Sequence, residues 1–130
     1  KTIECECNDI HLIHIFEDEW KNKKEIVKQK LRSHFIYEKR IGARELIISE
    51  ISNVEKNKFL DAHHIQGKDI SSVRYGAFYN KELVAVITFG KERAALGIKN
   101  PNKDTYELVR FATSVSIVGI VSKFLKFVLA

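Results

Sequence analysis

The segment from Leu83 to Gly90 constrains the fold most, because it is apolar on both faces of an extended chain. A strand of this kind has to lie inside a sheet that is covered on both sides. Further strand-type runs occupy residues 46–51, 73–79 and 106–113, and Asn80-Lys81 predicts a tight turn before the central run. The pattern therefore predicts an α/β (α+β) fold with a central, mixed but largely antiparallel sheet.

Two helices are predicted beside these strands. Ser52 and Glu55 have the spacing of a capping box, which predicts a short helix after the first strand. Its inward-facing residues would be Val54, Phe59 and Leu60. A second helix is expected over residues 118–129, with Ile120, Phe124, Phe127 and Val128 facing inward and Lys123 and Lys126 facing outward. Residues 91–105 contain glycine, asparagine and the single proline, which predicts a long mobile loop.

The N-terminal part predicts one strand followed by one helix. Residues 11–16, HLIHIF, form an apolar run, and three acidic residues at 17–19 suit the positive end of a helix that continues to about residue 34. One helical stripe is apolar, with Trp20, Val27 and Leu31. Another face collects basic residues at three- and four-residue spacing, namely Lys21, Lys24, Lys28 and Arg32. Residues 36–45 contain Gly42 and mixed charge, and are predicted to be a linker.

The net charge of +5 is distributed unevenly. Residues 1–19 hold one basic and six acidic residues, whereas residues 20–44 hold nine basic and two acidic ones. A basic block on one element favours a phosphate-backbone partner such as DNA. A solvated, lysine-rich helix face is the alternative interpretation of the same pattern.

Composition also bears on compartment and completeness. No run approaches the roughly 18 consecutive apolar residues of a membrane span, so no membrane partner is predicted. Cys5 and Cys7 lie too close together for an ordinary framework disulfide, and we expect a cytoplasmic protein. The chain begins with Lys1 and contains no methionine, so we expect an internal piece of a longer product.

Cys5, Cys7, His11 and His14 are the obvious candidates for a metal site. Structural zinc sites use cysteine pairs two to four residues apart and a longer spacer before the second pair. Here the cysteines are separated by one residue, and the two histidines of a strand over 11–16 would point to opposite faces. We therefore predict no metal site in this chain.

Three other positions carry functional and structural alternatives. His63 and His64, near Gln66, lie in a predicted loop, where they could contact a phosphate or base, or where one of them could simply pack. Gly119 opens the last helix after small polar residues, which favours either an anion cradle of backbone N–H groups or a serine N-cap with a close-packed glycine. Arg110 lies within an apolar strand and needs a carboxylate, a ligand anion or an exit to solvent.

The segment HLIHIFEDEWKNKKEIVKQKL, from His11 to Leu31, resembles the closing strand and helix of PD-(D/E)XK, restriction-endonuclease-like phage proteins of the homing-endonuclease kind. The stretch IHIFEDEW, from Ile13 to Trp20, is its most specific part. The resemblance implies that the acidic residues and lysine that bind the catalytic divalent metal lie upstream of Lys1. Residues 1–35 would then be a C-terminal strand-helix remnant of a nuclease-like domain that does not cut DNA.

A second resemblance covers residues 46–130 and rests on His63 to Gly67, Arg74 to Lys91 and Tyr106 to Lys126. These segments resemble the domain that follows the nuclease in such proteins, which is similar to the GNAT acyltransferase superfold and its Mom-type DNA-modification enzymes. The resemblance implies an acetyl-CoA pyrophosphate site at Val118, Gly119 and Ser122. Ser116 and Val121 depart from the glutamine or arginine and the glycine or alanine of the usual motif. It also implies two further strands, supplied by the missing parts of the parent chain or by a second copy.

The leading hypothesis is a DNA-binding, accessory portion of a phage or mobile-element endonuclease-like protein that does not itself cleave DNA and holds no cofactor; its catalytic residues, if any, stay unassigned. Its predicted DNA contacts are Lys21, Lys24, Lys28, Arg32, His64, Gln66 and Arg74. The alternative is a GNAT-like N-acyltransferase that uses acetyl-CoA, with His63, His64 or Tyr106 near the acceptor amine. A degenerate domain kept only for assembly is the third possibility, so enzyme activity stays open at this point.

Overall fold

The computed structural model describes residues 1–35, 40–91 and 105–130. The chain divides into two compact units, an N-terminal unit of Lys1–Phe35 and a C-terminal unit of Ile36–Ala130. Most of the predicted mobile loop, residues 92–104, lies outside the described residues, as do positions 36–39 of the predicted linker.

The N-terminal unit consists of three helices, α1 (Thr2–Cys7), α2 (Glu17–Asn22) and α3 (Lys24–Phe35). The predicted strand over residues 11–16 is wrong, because residues 10–16 have no regular secondary structure. An apolar run becomes a strand only when another strand supplies hydrogen bonds, and residues 1–35 contain no strand. The predicted single helix is also wrong, since it is divided at Lys23, which ends α2 with φ −131° and ψ 36°.

The C-terminal unit is built on an antiparallel sheet, which confirms the predicted α+β class and the predicted central strand. Its four strands are β2 (Ile47–Glu50), β3 (Val73–Tyr79), β4 (Glu82–Lys91) and β5 (Tyr106–Thr113), in the order β2-β3-β4-β5. Strand β4 lies between β3 and β5, so both of its edges are paired. Asn80 and Lys81 form the predicted tight turn, with φ of 48° and 68°.

Part of the predicted linker belongs to the C-terminal unit. Strand β1 (Ile41–Gly42) pairs in parallel with β6 (Ile117–Val118), and a short 3₁₀ helix follows at Ala43–Glu45. Ala43 is buried in the same core as Leu46 and Phe124. The apolar side chains of these residues complete the core beside the last helix. The mixed composition of residues 36–45 gives no sign of this packing.

Helices α4 (Asn53–His63) and α5 (Ile120–Leu129) cover the two faces of the sheet. The capping box that begins α4 is confirmed, since Glu55 N donates to Ser52 Oγ at 3.2 Å and Ser52 N donates to Glu55 Oε2 at 3.0 Å. Phe59 and Leu60 pack with Val86, whereas the α5 residues Ile120 and Phe124 pack with Ala85 and Ile87. Consecutive residues of β4 point to opposite faces, which places the helices on opposite sides.

Three side chains differ from their predicted orientation. Val54 is 77% exposed, and Phe127 is 47% exposed although its ring lies edge-on to that of Tyr75 in β3. Lys123, predicted to face solvent, turns back so that its Nζ donates to the carbonyl oxygens of Ala43, at 2.8 Å, and of Leu46. The carbonyl oxygens at the end of the short 3₁₀ helix have lone pairs that an ammonium group can use.

Candidate functional site

The first candidate surface is the basic face of α3, defined by Lys24, Lys28 and Arg32. These residues follow one another at four-residue intervals, so they lie one above the other on the helix. Lys24 and Arg32 are exposed and Lys28 is half-buried. Lys21, predicted to share this face, instead belongs to α2 and pairs with Glu17 at 2.5 Å.

Two of the three cations on the α3 basic face have local partners. Lys28 Nζ donates to Glu25 Oε1 at 2.8 Å, and this hydrogen bond, with the positive charge, lowers the pKa of Glu25. Glu25 is 80% exposed, so the pair contributes little stability and opens at low cost. Lys24 Nζ lies 5.1 Å from the centroid of the Trp20 ring, which is cation–π geometry. Because these local contacts are weak, an anionic ligand could replace them and bind the cations of the α3 basic face.

The second candidate is the α5 cleft, a depression of about 710 Å³ at the start of α5. Val118, Gly119 and Ser122, predicted as cofactor-binding residues, all line it, together with Gly42, Ala43, Arg44, Glu45, Lys123 and Lys126. The parallel pairing of β1 with β6 brings the two walls of this cleft together. The three residues predicted to bind the cofactor therefore line the same cleft.

Gly119 determines how the chain enters α5. It is the N-cap, in the left-handed conformation with φ 78° and ψ 11°, and no side chain caps the helix. The alternative of a serine N-cap is therefore wrong. The first backbone N–H groups of a helix have no intrahelical acceptor, and here they belong to the residues that follow Gly119 at the rim of the cleft. Together with the helix dipole, they favour an anion at this position.

The charges of the α5 cleft are predominantly positive. Arg44, Lys123 and Lys126 face a single acid, Glu45, among the lining residues. Lys123 is occupied by the carbonyl groups of Ala43 and Leu46, so it fixes the 3₁₀ helix against α5. Arg44 and Lys126 are exposed and supply the cationic side chains at the mouth.

The side chains of His64 and Arg74, two of the predicted DNA contacts in the C-terminal unit, form local hydrogen bonds. His64 Nδ1 accepts a hydrogen bond from Gln66 N at 3.1 Å, which shapes the turn after α4. Arg74 Nε donates to Ile51 O at 2.9 Å and its Nη1 donates to Ser72 O at 3.3 Å. His63 is the packed histidine, with its ring 4.6 Å from Phe59, and burial lowers its pKa.

A third cleft, of about 610 Å³, was not predicted from the sequence. We call it the α4 cleft, and its lining residues are Asn53, Asn57, Lys68, Asp69, Ile70, Ser71 and Arg74. One lining residue, Asp69, belongs to a buried ion pair, in which its Oδ1 lies 2.7 Å from Lys56 Nζ. Thr88 Oγ1 donates to the other carboxylate oxygen, Oδ2, at 2.6 Å. Burial acts to raise the pKa of Asp69, but the hydrogen bonds from Lys56, Thr88 and Ser71 and the charge of Lys56 hold it below its ordinary value.

One residue pattern in the sequence, the position of Lys56 on α4, points to this cleft. Lys56 precedes Phe59 by three residues and Leu60 by four, so it lies on the inward face of α4. A lysine at a core position requires a buried anion. The sequence cannot identify Asp69 as that anion, because the loop after α4 determines which acid reaches the core.

The cysteine and histidine cluster near the N-terminus has no metal-site geometry. Cys5 and Cys7 lie in α1, His14 Nε2 is 3.3 Å from Thr2 Oγ1, and the His11 ring is 5.3 Å from that of His34. Within residues 1–35, 40–91 and 105–130, no group of three or more histidine, cysteine or acidic side chains could hold a metal ion. None of the helices in these ranges is long and apolar enough to cross a membrane.

Comparison of the chain with protein-family models, with curated proteins and with solved structures gives no match in any of the three cases.

Proposed function

We propose that this chain is the DNA-binding, non-cleaving accessory portion of a phage-type, endonuclease-like protein. The observation that carries the proposal is the α3 basic face. Helix α3 holds four basic residues and one acid, and three of the cations are spaced one turn apart. Side chains in such a row can neutralise successive phosphates of one strand and release their counterions.

DNA is a single partner that could bind the basic residues of both units. The N-terminal unit has seven basic and seven acidic residues, so its positive charge is concentrated on α3 and balanced elsewhere. Residues 36–130 hold fifteen basic and ten acidic residues. Duplex DNA carries one phosphate per about 1.7 Å of its axis and so offers anions to several cationic surfaces at once. A cofactor with one pyrophosphate would engage the α5 cleft alone.

A salt titration of duplex binding tests this proposal. We expect log K to fall with log salt by about 0.9 for each phosphate contacted, without strong sequence preference. Replacing Lys24, Lys28 and Arg32 with glutamine should reduce that slope by about 2 to 3. The matched control replaces Lys58, Lys81 and Lys91, which are exposed and outside the α3 basic face, with glutamine. Equal losses in both triple variants would reject a specific role for α3.

A second candidate function is GNAT-like N-acyl transfer from acetyl-CoA, which the α5 cleft supports. The four-stranded sheet is followed by α5, and the turn between them carries Gly119, where the resemblance implies a pyrophosphate site. The first-turn N–H groups, Ser122 and the cations Arg44 and Lys126 would hold the pyrophosphate. Bound acetyl-CoA would supply the acyl group.

Titration calorimetry separates the two candidates. Acetyl-CoA that binds the chain and loses affinity in the Arg44→Gln, Lys126→Gln variant supports the acyltransferase proposal. Acetyl-CoA that does not bind, combined with salt-dependent DNA binding through α3, supports the DNA-binding proposal alone.

A further inference from the structure

An aromatic side chain lies at the N-terminal end of the α3 basic face. Trp20 precedes Lys24 by four residues, the interval that also separates Lys24, Lys28 and Arg32. Although the helix is divided at Lys23, the centroid of the Trp20 ring remains 5.1 Å from Lys24 Nζ. Trp20 and the three cations therefore form one surface, which we call the α2–α3 surface.

The aromatic ring of this surface is accessible to a ligand. Trp20 is 41% exposed, although tryptophan is on average a highly buried residue. Phe16, one turn before it, is 65% exposed. The contact between Lys24 and the Trp20 ring joins two exposed side chains, so it is weak. A phosphate can draw Lys24 away from the ring and leave the ring face to a ligand.

The acidic residues of α2 are paired or lie to the side of this surface. Asp18 is two residues before Trp20, and residues at that spacing do not face the same side of a helix. Glu17 pairs with Lys21. Glu19 Oε2 accepts a hydrogen bond from the backbone N–H that begins the helix, at 3.4 Å. The α2–α3 surface thus presents positive charge beside an aromatic ring.

A row of cations that ends at an exposed aromatic ring fits single-stranded DNA. Cations neutralise successive phosphates, and an aromatic side chain stacks on an unpaired base whatever its identity, because every base has a π-face. A duplex offers the same phosphates, but its base faces are stacked on one another. The cations alone therefore fit either form of DNA, whereas Trp20 favours the single strand.

An anionic membrane is the other polyanion that binds cations and aromatic rings. A helix that lies on a membrane inserts a large apolar face between the lipids. In α3 the apolar residues Ile26, Val27 and Leu31 are buried or half-buried within the unit, and Phe35 is its one large exposed apolar side chain. Helix α3 has no free apolar face of this kind, so the observations favour DNA.

We propose that the α2–α3 surface binds single-stranded DNA, with Trp20 stacked on a base and Lys24, Lys28 and Arg32 at the phosphates. This inference rests on the proposed DNA-binding function and adds to it the form of DNA that is bound. No base preference is expected, since stacking tolerates every base.

The intrinsic fluorescence of the chain tests the stacking contact directly. Trp20 is the only tryptophan of the chain, so its emission reports on this position alone. Titration of the whole chain with the single strand dT10 should quench the emission, because a stacked base quenches an excited indole ring. A duplex of the same length should bind with less quenching, because its bases do not reach the ring.

Substitutions at Trp20 separate stacking from apolar bulk. In Trp20→Leu the affinity for dT10, measured by fluorescence anisotropy, should fall about fivefold or more. The affinity for the duplex should change by less than about twofold, since the phosphate contacts remain. Trp20→Phe keeps an aromatic ring and should retain most of the affinity for dT10. Tyr106→Leu, which removes a ring of similar exposure from β5, is the matched control and should bind both forms like the wild type.

The outcomes distinguish this inference from the function on which it rests. Unquenched emission at saturating dT10, or equal losses of affinity for dT10 and duplex in Trp20→Leu, overturns the stacking site and leaves DNA binding standing. Absence of binding to both forms of DNA overturns both proposals. Blue-shifted emission with vesicles of phosphatidylserine and phosphatidylcholine, without quenching by dT10, assigns the surface to a membrane and overturns the inference.

Discussion

At the scale of single residues, Lys56 and Asp69 form an ion pair buried in the C-terminal unit. Lys56 is fully buried, and the side chain of Asp69 is 3% exposed. Two charges in the core are tolerated only when each is paired and hydrogen-bonded. Asp69 meets this condition through Lys56, Ser71 and Thr88, which join α4, the loop after it and β4.

Replacing Lys56 with methionine should destabilise the fold strongly. The variant leaves the carboxylate of Asp69 buried without its cation, and breaking a buried pair in this way costs about 3–5 kcal/mol. Urea-induced unfolding gives the free energy. Lys58→Met, at an exposed position of the same helix, should change that free energy by no more than about 0.5 kcal/mol. A smaller loss for Lys56→Met than for Lys58→Met would contradict the assigned role.

The same pair predicts a pH dependence of stability. The pKa of folded Asp69 lies below its ordinary value of 3.8, so the folded state holds that proton more weakly than the unfolded state. The ionised carboxylate therefore adds its full contribution to the free energy of unfolding above the pKa of the unfolded state. That contribution is lost as the pH falls through the pKa of the folded state. The difference in unfolding free energy between wild type and Asp69→Asn should narrow as pH falls below about 4. A difference that is constant from pH 6 to pH 2 would refute this.

At the scale of elements, helices and strands that depend on residues close in sequence could be predicted. Features that depend on contacts between distant segments could not. The capping box of Ser52 and Glu55 and the apolar run of β4 act within a few residues, and both were predicted correctly. The run at 11–16 has strand composition but no strand partner in its unit, so composition alone misled. For the candidate clefts, Gly119 at the start of α5 is recognisable in the sequence, and the resemblance implies Val118 and Ser122 beside it. The α4 cleft depends on a loop closing over a helix, which no local pattern predicts.

Gly119 provides an element-scale test, because the start of α5 requires its conformation. In Gly119→Ala the new Cβ would lie 3.9 Å from Ala43 Cβ, an ordinary contact, so the penalty comes from the backbone. A left-handed alanine costs about 1–2 kcal/mol. Gly42→Ala, across the same cleft, is the control, because its φ of −78° suits any residue and its nearest neighbour is 3.8 Å away. If the two variants unfold at the same urea concentration, the backbone of Gly119 is not the constraint.

At the scale of the whole molecule, the two units differ in how much core they possess. Val27 is the only buried residue of Lys1–Phe35, and Ile3, Phe16, Trp20 and Phe35 are among its exposed apolar side chains. The C-terminal unit buries two core clusters, one on each side of β4. Fewer than about 40 residues rarely stabilise a fold without help, so we expect the first unit to be the less stable of the two.

Amide hydrogen exchange should therefore separate the units. Opening free energies follow buried apolar contact, so the amides of β3 and β4 should exchange most slowly and those of α1 to α3 most rapidly. Duplex DNA, if it binds through Lys24, Lys28 and Arg32, should slow exchange in α3 more than in α1, because the bound helix opens less often. Mass spectrometry of peptides from the chain, with and without duplex, measures both effects. Slow exchange in α3 without DNA would show that the N-terminal unit is stabilised by more than its own core. Equal slowing of exchange in α1 and α3 by DNA would show that α3 is not the contact surface.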